Sequence, residues 1–254
     1  MKSQAPSDLV PSIRVGCAGW SLPSQHASDF GDGASVLQRY ATRFAVVEIN
    51  SSFYRPHKPE TYARWAQSVP DGFRFSVKIP KAISHDHGLA GAARLLDPFL
   101  RDVEQLGHRL GALLLQLPPR LAYDGRTASA FFRALRRRTA VSVACEPRHD
   151  SWFTGTADAM MMKYDIARVA ADPARCPRAA IPGGSRDWSY WRWHGQPRMY
   201  YSSYPERDLR ELADQACQLS QRRRAWIILD NTAHGHAVPN ALRLQTLLTE
   251  HPHA

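Results

Sequence analysis

Eight short apolar stretches recur along the chain, at residues 13–17, 46–50, 73–79, 112–117, 141–146, 168–172, 190–194 and 225–231. Their length and their β-branched and aromatic content predict strands. Between them, residues 35–41, 59–68, 95–106, 127–137, 208–221 and 240–248 space their apolar positions as helices do. Strand then helix, repeated without a Pro/Gly-rich linker, predicts one α/β domain over residues 13–250. Eight repeats predict closure as a TIM-barrel-like (β/α)8 fold. The connections at 150–166 and 173–189 break the rhythm, so irregular connections are expected after strands 5 and 6. Residues 1–12 have no apolar core of a signal peptide and read as a short disordered lead.

Alternation along each strand then sorts side chains by face. Val46, Glu48 and Asn50 share one side of the second strand, and Val47 and Ile49 the other. On the third, Arg74, Ser76 and Lys78 oppose Phe73, Phe75, Val77 and Ile79. The more apolar set must face the helices, so the polar set points into the barrel. The same reasoning sends Gln116, Glu146, Arg192, His194 and Asp230 inward with Tyr190, and Asp172 with Ala170. Polar residues therefore end nearly every strand at the C-terminal mouth, where barrel chemistry sits. Each needs a partner, which either a liganded, water-filled mouth or a closed ion-pair network would supply.

Composition changes this picture in three ways. No run of about 18 apolar residues is present to span a bilayer, and a cytoplasmic protein with no membrane partner is expected. The formal charge of +10 invites nucleic acid as a partner. The dense runs at Arg136–Arg138 and Arg222–Arg224, however, fall where helices should end and cations complement the macrodipole. Cys17, Cys145, Cys176 and Cys217 are widely spaced, without metal-binding or redox motifs, and read as reduced thiols.

Several motifs, in order, resemble one family. They are Val15-Gly16-Cys17-Ala18-Gly19-Trp20-Ser21, Val47-Glu48-Ile49-Asn50-Ser51-Ser52-Phe53-Tyr54, Phe73-Arg74-Phe75-Ser76-Val77-Lys78, Leu115-Gln116-Leu117-Pro118-Pro119, Glu146-Pro147-Arg148-His149-Asp150-Ser151-Trp152, and Asn231-Thr232 with Gly235 and Asn240-Ala241. Together they are similar to the YecE-like family, domain of unknown function 72. The resemblance implies a TIM-barrel-like fold and no established activity. The chain departs from the family's pattern at Cys17-Ala18, where a small hydroxyl pair is common, in the loop at 22–33, and at Asp230-Asn231-Thr232, where a double Asn is more usual.

The residues leave several chemistries open. Glu48 and Glu146, on strands two and five, are paired carboxylates of the kind a hydrolase uses for acid/base work, with His194 beside them. Lys78, Arg148, Arg192 and His194 give the mouth a positive side suited to a phosphorylated or other small polar ligand. Asn50, Gln116, Asp172, Asp230, Asn231 and His149 complete the binding set, and Trp20, Tyr54 and Trp152 offer stacking surfaces. The loop from Asn231 into the helix near Asn240 sits where barrels often seat phosphate. A divalent metal held by Glu48, Glu146, Asp172, His194 and Asp230 is the phosphodiesterase-like alternative. The His85/His87 and His234/His236 pairs lack further ligands at a recognisable spacing. A nucleic-acid binder and a non-catalytic binding module are the remaining alternatives.

Overall fold

The computed structural model describes residues 13–221 and 223–250. The lead expected at 1–12 and Arg222 of the second arginine run lie outside them. Ten strands occur in chain order: β1 Ile13–Ala18, β2 Val46–Ile49, β3 Arg74–Lys78, β4 Leu110–Gln116, β5 Ser142–Glu146, β6 Ile166–Arg168, β7 Ala170–Asp172, β8 Gly183–Gly184, β9 Trp188–Trp193 and β10 Arg224–Leu229. The helices are α1 Val36–Tyr40, α2 Pro59–Gln67, α3 Ala93–Val103, α4 Gly125–Arg136, α5 Gly155–Lys163, α6 Glu206–Ser220 and α7 Ala237–Glu250.

The sheet runs β7-β9-β10-β1-β2-β3-β4-β5-β6-β8. Two strands at or next to its flanks, β6 and β7, are halves of one strand broken at Val169. The first half pairs in parallel with β5 and the second with β9. Val169 donates its N–H to the Cys145 carbonyl at 2.8 Å, so the break does not lose the ladder. One strand thereby joins both flanks and closes an eight-membered barrel.

The expected connections hold in kind. Strand five leads through a short turn into α5, whose N-terminus Thr154 caps by accepting from Ala157 N–H. Strand six leads instead into a 3₁₀ turn at Pro177–Ala180 and the two-residue β8, antiparallel to β6. Among the described residues no helix is long and apolar enough to cross a membrane.

The two faces of the sheet bury separate cores. Val47, Ile49, Phe75, Val77, Leu113, Leu115, Val143, Cys145, Trp191 and Ile227 pack outward against the helices. Val46, Ala112, Leu114, Ala144, Ala167, Val169, Trp188, Tyr190, Trp226 and Ile228 fill the barrel. Alternation therefore assigned these faces correctly on strands two to five, seven and eight. Strand six is the exception. Ala167 and Val169 point in, while Ala170 joins the outer core and the Asp172 carboxylate accepts from Tyr204 Oη at 2.7 Å. Here the side that carries Arg168 and Asp172 faces outward, because the outer layer supplies their partners, Asp158 for Arg168 and Tyr204 for Asp172.

At the barrel base Trp188, Tyr190 and Trp226 pack with ring centroids 5.4–6.2 Å apart. Gly111 admits the Trp226 ring, since a Cβ there would lie 2.5 Å from Cη2. The aromatic floor leaves the polar strand ends above it.

Candidate functional site

Arg192 stands at the centre of that polar layer, on β9, fully buried. Its Nε and Nη2 donate to Glu48 Oε2 and Oε1 at 3.1 and 2.7 Å, a bidentate clamp. Nη1 donates to Glu146 Oε2 at 2.5 Å, and Nη2 also to Asp230 Oδ2 at 2.9 Å. One guanidinium thus ties together strands two, five, seven and eight of the barrel. Below it, Tyr190 donates to Glu48 Oε2 at 2.8 Å and sits 2.9 Å from Ser76 Oγ, joining the ion network to the aromatic floor.

His194 bridges two of the same carboxylates, with Nδ1 2.9 Å from Asp230 Oδ2 and Nε2 3.1 Å from Glu146 Oε1. Burial alone would push its pKa down, but Glu146 and Asp230 outweigh burial and hold it above the ordinary histidine value. A carboxylate at each nitrogen favours the imidazolium form. Burial likewise pushes Glu146 up, and Arg192, His194 and Arg148 reverse this and keep it well below the usual carboxylate range. Asp230 is lowered in the same way, by Arg192 and His194 against burial.

Glu146 Oε1 also accepts from Arg148 Nη2 at 2.9 Å and Nε at 3.1 Å, with Gln116 Nε2 at 3.4 Å. All four oxygens of Glu48 and Glu146 are therefore committed to donors. A carboxylate in that state is a fixed counter-ion, and the acid/base pair expected from the sequence lies with every oxygen already bonded within the protein. The set weighed for a metal is not brought together: Glu48, Glu146 and Asp230 grip Arg192, while Asp172 lies on the outer side with Tyr204. Among the described residues no group of three or more His, Cys, Asp or Glu stands ready to hold an ion.

Lys78 is the exception to this saturation. It ends β3, is 7% exposed, and among the described residues its ammonium makes no hydrogen bond or ion pair. The Nζ lies instead over the Phe53 ring, 4.4 Å from the centroid. Burial, and then Arg192, pull its pKa to about 8, against the opposing pull of Glu48, Glu146 and Asp230. Beyond Phe53 lies His85, with ring centroids 4.9 Å apart, and Arg120 donates to the His85 carbonyl at 2.7 Å. Burial and the cations Lys78, Arg120 and Arg148 all lower the His85 pKa. The rim above the saturated layer is therefore electropositive. Asn50 adds an amide whose Oδ1 is buried without a partner, while its Nδ2 reaches Asp230 Oδ1 at 3.4 Å.

Other expected residues stand apart from this cluster. Trp20 packs edge-on against Trp65 at 5.0 Å, and Trp152 is buried against Tyr123 with its Nε1 donating to the Leu121 carbonyl. Both anchor loops instead of offering a stacking face. His149 Nδ1 accepts from the Ser151 N–H, at the start of a turn. Tyr54, 75% exposed, lies outside the buried layer. Asn231 donates to the Ser202 carbonyl and to Asn240 Oδ1, at 3.0 and 2.8 Å. Asn240 is also bonded to the Tyr204 backbone, so both amide side chains at the expected phosphate seat before α7 are engaged within the chain, with Asn231 Oδ1 buried and without a partner. Asp172 lines a separate cavity of about 260 Å³ outside the barrel, with Trp193, Gln196, Arg207, Asp208 and Glu211.

Sequence reasoning missed three contributors. Tyr190 shares the face of Arg192 and His194, and that parity was its signal. Phe53 follows a strand end and was readable as an aromatic, but not as the support of Lys78. Tyr200, whose ring lies 5.7 Å from that of His194, sits on a loop with no local signal.

Comparison with known proteins agrees with this architecture. A family described as "Protein of unknown function DUF72" matches residues 14–254. The protein YecE of Escherichia coli K12 is 37% identical over 106 residues, which span 42% of this chain and 38% of YecE. YunF of Bacillus subtilis is 23% identical over 93% of this chain and 94% of its own. A DUF72 family protein from Thermotoga maritima superposes with a TM-score of 0.77 at 24% identity, covering 93% of this chain and 99% of that one. D-psicose 3-epimerase of Clostridium cellulolyticum, a structure with D-tagatose, superposes at 0.54 with 9% identity, covering 93% and 97%. That likeness is one of fold.

Proposed function

The chain belongs to the DUF72 family of proteins of unknown function, and from that premise we propose that its barrel mouth binds a small polar ligand bearing a phosphate or carboxylate group. The carrying observation is the rim: Lys78 lies over Phe53 beside His85 without an ion-pair partner among the described residues, Arg120 donates to the His85 carbonyl, and Glu48, Glu146 and Asp230 are taken up by Arg192, Arg148 and His194. Counting the strand-end ions, Glu48, Glu146 and Asp230 give three negative charges. Arg192, Arg148, Lys78 and the His194 imidazolium give four positive ones. An anion at the rim receives charge-assisted hydrogen bonds that no protein group uses. In this reading Glu48 and Glu146 hold Arg192 and Arg148 in place and move no proton, so a hydrolase built on that pair is not favoured.

Inorganic pyrophosphate is a suitable probe at about pH 7 and low salt. Saturating ligand, on the order of 100 times Kd, stabilises by about 2.7 kcal/mol and raises Tm by several degrees. Arg120→Gln and Arg148→Gln should each weaken calorimetric binding about tenfold or more. An unchanged Tm with pyrophosphate, sulfate and a small dicarboxylate would overturn the reading, as would equal affinity in both variants.

A further inference from the structure

An ammonium buried beside a guanidinium, with three carboxylates close by and none of them bonded to it, is an unfavourable arrangement. Arg192, Arg148 and His194 occupy both oxygens of Glu146, and Arg192 those of Glu48 and Oδ2 of Asp230. Phe53 supports the amine from one side only. What results is a side-chain nitrogen at the C-terminal end of a barrel strand, on a residue 7% exposed, that no protein group among the described residues bonds. Ion-pairing lysines are built differently, and so are exposed ones such as Lys58, Lys81 and Lys163.

We propose that Lys78 is a nucleophile that forms an imine with an aldehyde or ketone carrying a phosphate or carboxylate group. The inference rests on the anion-binding reading, since Arg120 and Arg148 would hold the charged end while the carbonyl meets the amine.

The neutral amine donates its lone pair to the carbonyl carbon as the C=O π pair moves to oxygen. One N–H proton passes to that oxygen, giving a carbinolamine. The nitrogen lone pair then expels the hydroxyl, which leaves as water with the second N–H proton, and a C=N bond remains. Amine plus carbonyl gives imine plus water, with no change in oxidation state. Protonation of the imine from solvent makes an electron sink for bond breaking at the adjacent carbon. The lowered pKa of Lys78 supplies a neutral fraction near pH 7 that an ordinary lysine lacks. No proton-accepting carboxylate is needed in the first step, which fits a layer whose carboxylates are saturated.

Glycolaldehyde phosphate with sodium cyanoborohydride tests this on the full chain, because reduction fixes any imine as a stable secondary amine. Few lysines compete, so peptide mapping by mass reads each one. The expected result is an adduct at Lys78 at least about tenfold above that at Lys58, Lys81 or Lys163, lost in Lys78→Arg. Unphosphorylated glycolaldehyde should label Lys78 less. Labelling spread over the exposed lysines without excess at Lys78 overturns the inference, and this reading uses the wild-type protein and needs no variant to fold. If pyrophosphate still raises Tm while Lys78 stays unlabelled, the imine fails and anion binding stands. If Lys78 is labelled equally by both aldehydes and pyrophosphate has no effect, the anion site fails and the nucleophile stands.

Discussion

At the scale of single residues, the same chemical type takes opposite roles according to what surrounds it. Arg192 and Lys78 are both cations at strand ends, yet Arg192 has three carboxylate partners and Lys78 none. Truncating Arg192 to Met would leave buried Glu48 with Tyr190 as its one donor and take a donor each from Glu146 and Asp230, and losing one partner of a buried pair costs about 3–5 kcal/mol. Arg192→Met should therefore lose at least that much in urea unfolding, or fail to fold. Adding Glu48→Gln to it should recover part of the loss, because the second change removes a charge the first had orphaned. A single-variant loss below about 1 kcal/mol would mean that the network contributes little. Sequence could not rank these residues. Alternation put Glu48, Lys78, Glu146, Arg192, His194 and Asp230 on inward faces, but which cation sits at the hub depends on depth along the barrel axis, and a strand's two-residue period carries no record of depth.

At the scale of elements, the strand pattern was legible because side-chain alternation is local and the outer face meets helices along its whole length. It failed at strand six for a geometric reason. The strand must pair with β5 at one end and β9 at the other, and the break at Val169 lets it do so. Asp172 consequently ends on the outer side with Tyr204. Small residues elsewhere record close approach that sequence alone leaves ambiguous. Gly16 on β1 is one: a Cβ there would lie 2.1 Å from the Val46 carbonyl oxygen on β2. Backbone cannot yield as a flexible side chain does, so Gly16→Ala should cost about 1–3 kcal/mol in urea unfolding. Gly19→Ala is a useful contrast. Nothing lies within 4 Å of its Cβ position, and its φ of +87° makes strain the sole cost. If Gly16→Ala proves the milder of the two, crowding between β1 and β2 is not what holds the glycine.

For the whole molecule, arginines of the dense 136–138 run and of α7 are engaged within the fold. Arg136 donates to the carbonyls of Val141, Tyr164 and Asp165, Arg138 pairs with Asp97, and Arg243 with Glu206 and Glu250. Duplex DNA should therefore bind weakly, with a shallow salt dependence. A slope of log affinity on log salt of about −6 or steeper would restore nucleic acid as a partner. The dependence of stability on pH reports the buried cluster more directly. Glu146 and Asp230 have lowered pKa values, so their contribution is present above the ordinary carboxylate range and fades as pH falls through the folded values. His194 is raised, so its contribution is complete below its ordinary 6.5 and is lost as pH climbs through the folded value. Lys78 runs the other way. Its pKa falls from 10.5 to about 8, so between those values the folded state binds fewer protons than the unfolded chain, and stability rises with pH. That upswing amounts to about 3 kcal/mol. Above neutrality the two groups oppose each other, and Lys78→Met separates them. Urea unfolding at about pH 6, 8 and 10 should show the variant more stable than wild type at the two lower values, with the advantage shrinking by pH 10 as the wild-type amine sheds its proton. Parallel profiles would mean that the Lys78 ammonium is as well solvated in the fold as in water, and the case for a reactive amine at the mouth would go with it.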